Sequence, residues 1–368
     1  MNTDIVGVAE NDVVIDISDT EITRRFEKYA GLGLTGIVNC GNTCYLNSCL
    51  QVLSHTYELN DILSSGKYKA HLKRVPSSAL LYEWDQLRSL LWSENCIVKP
   101  SRFLKFVQIV ANDKNRKLFT GYEQNDMSEF FLFLLDCFHE GISREVDMSI
   151  SGNIKSGKDQ LAKRCYEMMI THHKKSYSEI LDLFYGIQVW CNETVETGVI
   201  NVANQEPYLG LDIPLYGIQQ RQTQEGSVVY LDINNCVQHY LSKEEVDGLK
   251  DADGKQISRY LRFWSLPKLL MVNLKRYDMY GKKIHTPVTP NDELDMSPYV
   301  LGYKPETYKY ELYAIVEHRG GSIQGGHYLA HIKTANGSWH KFNDTQVTLI
   351  RVSYKSIRNG SCFFYRKK

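Results

Sequence analysis

The spacing of apolar residues changes part-way along the chain, and the change divides it in two. From about residue 33 to 140, apolar positions recur at three- and four-residue intervals, which puts them on one face of a helix. Leu46, Leu50 and Leu53 form such a stripe within residues 44–53. Further helices are predicted over 79–93, over 101–111 behind Pro100 with Ser101 as the cap, and over 126–139. In the last of these Phe130, Phe131, Leu134, Leu135 and Phe138 share a side. Residues 142–180 are polar and lysine-rich around Gly152 and Gly157, which predicts an exposed insertion with a helix near 159–170. After that the pattern becomes that of strands, with β-branched and aromatic residues dense over Leu269–Leu274, Tyr308–Val316, Tyr328–Ile332 and Ser361–Tyr365. Helices first and strands afterwards predict an α+β fold with a cleft where the halves meet. Residues 1–20 hold five acidic residues and no Lys or Arg. They predict a flexible acidic tail, reaching to about residue 32, in which Val13–Ile17 could pair as an edge strand or dock on a partner.

Composition narrows the class. With 368 residues and 43% hydrophobic, the chain can bury a large core. Its formal net charge of zero argues against a general nucleic-acid binder, which needs a basic excess to offset phosphate. The 24 tyrosines fit a protein rich in strands. The nine cysteines are an odd number and include no C-x-x-C pair, so free thiols in a reducing compartment are expected rather than a disulfide framework. Met1-Asn2-Thr3-Asp4 does not open a secretory signal, and the apolar run Phe130–Phe138 is short and broken by Asp136. The expectation is a soluble intracellular protein, cytoplasmic or nuclear, with no membrane and no nucleic acid among its partners.

Two segments carry chemistry. In Asn39-Cys40-Gly41-Asn42-Thr43-Cys44-Tyr45, Asn42 and Thr43 are natural caps that place Cys44 in a first helical turn. There the helix N-terminus favours thiolate. About 280 residues later, Gly325-Gly326-His327-Tyr328 sets a histidine behind two glycines, which leave room for a substrate backbone to pass. A cysteine activated by a distant histidine is the arrangement of a thiol hydrolase. The imidazole needs a polar group behind it, and Asn343-Asp344, after Trp339-His340-Lys341-Phe342, offers two side chains that can accept from the ring. Asn-Asp also makes a common strand-ending turn. Buried structural roles compete for Cys44, and a satisfied strand histidine is the better reading of His331 and His340.

These residues match a family pattern. The chain resembles the ubiquitin-specific proteases, papain-like cysteine deubiquitinases, over about Gly33 to its end. Gly36 through Gln51 is similar to the family's Cys box, and Gly325–Tyr328 with Trp339–Asp344 to its His box. Gln124-Asn125-Asp126-Met127-Ser128-Glu129-Phe130, Glu206-Pro207-Tyr208-Leu209, Leu274-Lys275-Arg276-Tyr277 and Phe363-Phe364-Tyr365-Arg366 resemble smaller blocks. The resemblance implies a right-hand architecture: a helical thumb (about 33–184), fingers (about 185–265) and a stranded palm (about 200–215 and 266–368). It implies Cys44 as nucleophile, His327 as base and acid, Asn343 as orienting residue with Asp344 as a second candidate, and Asn39 as an oxyanion donor.

Gln124, Asp126 and Glu129 would face the basic tail of ubiquitin, with Gly326 and Tyr328 beside it; Asp126-x-x-Glu129 is equally a capping box. The implied partners are ubiquitin and ubiquitinated proteins, with a regulatory partner for the acidic tail. A ubiquitin-binding scaffold and a protease for another ubiquitin-like modifier are the alternatives. A papain-type endopeptidase fits less well, because its histidine follows the cysteine at about half this separation.

Many members hold a structural zinc at the fingertip with two C-x-x-C pairs. Here the first pair is reduced to Cys191, in Cys191-Asn192-Glu193-Thr194, and the stretch around Asp251-Ala252-Asp253-Gly254 replaces the second. Cys236-Val237-Gln238-His239 has ligand-like spacing but reads as a helix with a buried cysteine. Four ligands cannot be assembled, so no metal and no other cofactor is expected. Strand pairing and apolar packing, with Val228-Val229-Tyr230-Leu231 contributing, would hold the fingertip instead.

Overall fold

The protein is represented by a computed structural model that describes residues 26–121, 123–218, 231–322 and 325–368. Its first half is helical: α1 (Cys44–Ser54), α2 (Tyr57–Ser64), α3 (Pro76–Leu91), α4 (Ser101–Asp113), α5 (Met127–Ile142), α6 (Gly157–His173) and α7 (Glu179–Phe184). A two-residue parallel ladder joins β1 (Gly36–Ile37) to β2 (Ile97–Val98). The apolar stripes form the helices, and the ends follow local chemistry. Helix α3 starts three residues earlier than its periodicity indicates, because Pro76 occupies the first turn, where its fixed φ and missing N–H are harmless. Pro100, not Ser101, takes the position before α4, and it provides no side-chain cap.

Every residue of α1 is buried, so the one-sided stripe read from its leucines is incomplete. The helix is flanked by α5 and α2 on the helical side and by the palm sheet on the other. Its polar residues are therefore tied down: Gln51 Nε2 donates to Thr35 O at 2.7 Å, and Ser54 O accepts from Asn60 and Trp92. Phe131 of α5 meets Phe364 of the last strand edge-on at 5.0 Å, which joins the two halves in one core.

Among the described residues most strands belong to two larger sheets. The fingers combine β3 (Gly186–Thr194) and β4 (Ile200–Tyr208) with β7 (Glu244–Lys250) and β8 (Gln256–Ser265), in the order β4-β3-β8-β7. Between them in sequence come β5 (Leu211–Pro214), β6 (Leu231–Asp232) and helix α8 (Ile233–Tyr240), whose apolar side belongs to the palm core. The palm adds β9 (Leu269–Lys275), β10 (Val288–Thr289), β11 (Glu293–Asp295), β12 (Lys309–Ser322), β13 (Gly325–Lys333), β14 (Trp339–Asn343), β15 (Gln346–Leu349) and β16 (Gly360–Lys367). Its order is β15-β14-β13-β12-β16-β9-β5, with β11 on β12 and β10 paired to β6. Strand β4 thus lies wholly in the fingers, and the palm's first strand begins at Leu211 rather than near residue 200.

Three expectations change. The lysine-rich stretch is not a bare insertion, since Leu161, Ala162 and Cys165 of α6 bury against Ile187, Val189 and Cys191 of β3. The N-terminal segment is anchored before residue 32: Phe26 and Tyr29 pack on Tyr57, and Tyr29 Oη donates to Asp61 at 2.6 Å. Residues 1–25 and Val228, Val229 and Tyr230 lie outside the described residues, and Leu231 packs in the palm core rather than at the fingertip. At the fingertip Thr194 Oγ1, in a C-x-x-C register with Cys191, donates to Asp251 Oδ2 at 3.0 Å. Asp251 Oδ1 closes its own turn by accepting from the N–H groups of Asp253 and Lys255. A direct hydrogen bond joins the two hairpin tips.

That bond is expected to contribute about 1 kcal/mol. Thr194→Val should speed amide exchange at both tips, while chelators leave the melting temperature unchanged; stoichiometric zinc whose removal destabilises the fingers would contradict this. A second expectation concerns His55, fully buried against Phe342 and Trp92, with Nδ1–H donated to Gln51 O and no partner for Nε2 among the described residues. Burial pulls its pKa down to about 4. Because the folded value lies below the unfolded one, stability is complete above about pH 6.5 and falls as pH drops towards 4, by roughly 2 kcal/mol at pH 5. Urea titrations across this range should show the decline, and His55→Leu should flatten part of it.

Candidate active site

The loop before α1 is built by Asn39. Its Oδ1 accepts from the N–H groups of Gly41 and Thr43, both at 3.1 Å, and from Thr43 Oγ1 at 3.3 Å. The path needs left-handed backbone at Gly41 (φ 99°) and Asn42 (φ 53°), residue types that tolerate it. Thr43 occupies the cap position, but its hydroxyl serves the loop, accepting from Cys40 N at 2.8 Å, instead of capping the helix. Cys44 is the first residue of α1 and is buried against the backbone of Tyr328.

The thiol does not titrate as the helix terminus alone would dictate. Burial pushes its pKa up and the Asp344 carboxylate adds to this, while hydrogen bonding from the backbone at Tyr328, Tyr45 and Cys44 itself offsets only part. The balance favours the thiol over the thiolate.

His327 lies on β13, opposite Arg319 of β12. Its Nε2 is 2.5 Å from Asn343 Oδ1. An amide oxygen only accepts, so Nε2 carries the proton and Nδ1 is left to receive one. Asn343 ends β14 and pairs with Gln346 across a two-residue turn. Asp344 takes the first turn position in left-handed backbone (φ 51°). The Asn-Asp pair is thus both a turn and a source of the ring's partner. Asp344 faces the other way: Oδ2 accepts from Asn39 Nδ2 at 3.0 Å, Oδ1 from Asn47 Nδ2 at 2.7 Å, and its main-chain oxygen from Ile37 N at 2.9 Å. One N–H of the Asn39 amide is therefore engaged and one remains.

The other expected residues converge on the same strand. Gln124 Nε2 donates to Gly326 O at 2.9 Å, and Tyr328 Oη to Asp126 Oδ2 at 3.3 Å. Asp126 also caps α5, accepting from Glu129 N at 3.0 Å. Glu129 is exposed, so only half of the capping box forms and its carboxylate faces outward. His331 is a buried partner of Glu317, and His340 is a buried strand residue. The sequence assigned no role to His318, Lys283 or Tyr277: His318 lies over Gly326 and against Tyr328, and Lys283 and Tyr277 reach its Nδ1. Strand alternation, which puts His318 on the face it shares with Tyr328, was the signal available.

Among the described residues no cluster of three or more His, Cys, Asp or Glu side chains is arranged to hold a metal. Cys191 is buried among Leu161, Val189 and Trp264, and burial raises the Cys236 thiol to about 12. All nine cysteines are free, and no helix among the described residues is long and apolar enough to cross a membrane.

Residues 35–365 match the family described as ubiquitin carboxyl-terminal hydrolase. The chain belongs to this family. It is 29% identical over 353 residues to ubiquitin carboxyl-terminal hydrolase 2 of Rattus norvegicus, covering 90% of this chain and 54% of that protein. To the probable ubiquitin carboxyl-terminal hydrolase R319 of Acanthamoeba polyphaga mimivirus it is 24% identical over 434 residues, covering 90% of each. The chain thus spans about half the length of the rat relative. The fold is that of a chain in the SAGA Ubp8/Sgf11/Sus1/Sgf73 DUB module bound to ubiquitin aldehyde, with TM-score 0.68, 21% identity, and 96% of this chain and 76% of that chain covered. The α+β, papain-like architecture of this hydrolase family is therefore that of the present chain.

A protonated resting thiol has a measurable signature. Alkylation of Cys44 in the free hydrolase domain, followed by peptide mass spectrometry, should accelerate with pH through pH 9. A rate that plateaus below pH 7 would instead reveal a preformed thiolate.

Proposed function

We propose that the chain is a thiol-dependent deubiquitinase that hydrolyses the isopeptide bond after the C-terminal glycine of ubiquitin, through an acyl-enzyme thioester. The observation that carries this reading is the His327–Asn343 pair, on strands against which the Cys44 helix packs, in a chain of the ubiquitin carboxyl-terminal hydrolase family. Cys44 Sγ attacks the carbonyl carbon as its proton passes to Nδ1 of His327. The imidazolium, aligned by Asn343, then protonates the leaving amine, and water attacks the thioester with the same ring as base. The remaining Asn39 N–H and the first turn of α1 supply donors for the oxyanion.

Exposed Glu129 and the Asp126 carboxylate support a basic peptide tail as the ligand, led past Gly326 and Tyr328 with Gln124 beside them. Ubiquitin and its conjugates are the proposed partners. The acidic tail, outside the described residues, is the proposed contact for a regulatory partner. Nine free thiols support a cytoplasmic or nuclear setting.

Ubiquitin with a C-terminal electrophile is expected to form an adduct at Cys44, with Cys44→Ala abolishing turnover but retaining ubiquitin binding. Adducts at Cys40 or Cys49 would remove the nucleophile assignment. Absence of any adduct despite binding would favour a scaffold, and labelling only by a different modifier would change the substrate. Asn343→Ala should lower kcat by about 10²-fold with a smaller change in KM. Asp344→Ala, which releases Asn39 and Asn47 together, should cost at least as much kcat as Asn39→Ala.

A further inference from the structure

The strand beside His327 carries a second histidine that the catalytic steps leave unused. His318 stands opposite Tyr328 in the β12–β13 register, and the two rings meet at 4.5 Å with their planes tilted by 39°. Its Nε2 lies so close over Gly326 that a Cβ there would fall 2.2 Å from it. Gly326 is thus held twice, at its carbonyl by Gln124 and at its Cα by His318. Tyr328 is also held twice, by this ring contact and by Asp126. His327 sits between these two residues, so one buried ring braces both neighbours of the proposed base.

What fixes that ring is Lys283. Its ammonium has three N–H donors and three acceptors around it: His318 O at 2.8 Å, Gly320 O at 2.7 Å and His318 Nδ1 at 3.3 Å. An ammonium cannot accept, so Nδ1 must, and the proton of the neutral ring stands on Nε2, towards Gly326. The Tyr277 hydroxyl lies 3.2 Å from the same Nδ1 and, with the proton on Nε2, is the donor there. Around His318, burial acts most strongly against a proton, Lys283 and His327 add to that, and Asp126 opposes them; the outcome is a pKa near 4. Arg276 and Glu317 in turn face Lys283. The two main-chain contacts of Lys283 also fasten β12 where its register shifts, between Arg319 and Ser322.

We propose that Lys283 is a positioning residue of the site: by donating to Nδ1 it holds His318 as the neutral Nε2–H ring that braces Gly326 and Tyr328 on either side of His327. The proposal rests on reading His327 as the base. Losing the ammonium would raise the pH at which His318 takes a proton. An imidazolium would then stand beside His327, and its Nδ1, now a donor, would no longer accept from Tyr277.

Two measurements test it on the full chain. Imidazole-nitrogen NMR of the wild type should report His318 as the Nε2–H tautomer across neutral pH; an Nδ1–H tautomer overturns the proposal and requires no variant. Hydrolysis of a ubiquitin C-terminal amide by Lys283→Met, followed from pH 5.5 to 9, should show the acidic limb of kcat/KM displaced upward by about one pH unit, with recovery in alkali. Adding His318→Gln, which cannot titrate, should abolish the displacement. An equal loss at every pH would mean that Lys283 only latches Gly320, and would also overturn the proposal. Wild-type protein without hydrolysis would count against His327 as base, while the ring spectra would still decide the hold of Lys283 on His318.

Discussion

The proposed nucleophile and the proposed base lie on different halves of the chain, and the carboxylate of Asp344 ties the two halves together. It receives Asn39 from the cysteine loop and Asn47 from one turn into α1, while its main chain receives Ile37 N. Three segments of the thumb thereby end on one turn of the palm. The turn can come this near only because residue 36 is glycine: a Cβ there would stand 2.3 Å from Thr345 O. Hydrogen bonds to a charged acceptor are worth about 1.5–3 kcal/mol each. Two of them on a half-buried carboxylate are enough to hold Asp344 in left-handed backbone, which costs an L-residue about 1–2 kcal/mol. Asn343, the residue before it, is delivered to His327 by the same turn.

On the far side of the thumb–palm seam a buried ion pair does comparable work. Arg366 of β16 bonds Glu58 of α2 at 2.7 Å and the carbonyl of His55 at 3.0 Å. Its guanidinium lies 4.6–4.8 Å from the ring centroids of Phe26, Tyr57 and Tyr313. Burial works against this charge, and Glu58 with the two tyrosines outweighs it, so the arginine stays protonated. Removing one member of such a pair typically costs about 3–5 kcal/mol, because the other is left buried and unpaired. Phe26 closes the aromatic box, which gives the segment ahead of the family match a structural role.

The legible parts of the sequence were those written in local chemistry. The stripe Phe130, Phe131, Leu134, Leu135 and Phe138 specifies α5 because burial of one helix face repeats every three to four residues. The strand at 269–274 is equally plain, being apolar on both faces. Cys44, His327 and Asn343 could be singled out as candidates because their neighbours, glycines and turn formers, are chosen for backbone reasons. What stayed hidden depends on contacts across long separations. Nothing local to Asp344 says that it will accept from Asn39 and Asn47, and nothing local to Lys283 says that its three donors will meet His318 and Gly320. The burial of α1 on all sides was missed for the same reason: the second wall is a sheet formed some 270 residues later. Only the strand period, which sets His318 on the face of Tyr328, carried a trace of these contacts.

The electrostatics of the site follow from where burial and charge fall. Helix termini favour thiolate by an amount that is modest at an exposed site, and Cys44 is not exposed. Burial costs the anion more than the first-turn dipoles return, and the nearest fixed charge, Asp344, is negative. Behind His327 stands a neutral amide, so the ring is oriented without a carboxylate to stabilise a standing imidazolium. His318, next to it, is kept uncharged as well. Burial and the Asp344 carboxylate thus act against a thiolate, and the backbone hydrogen bonds return only part of that cost. In the proposed mechanism the transfer of the thiol proton then depends on the alignment of His327, which Asn343 holds directly and the bracing of Gly326 and Tyr328 holds from either side.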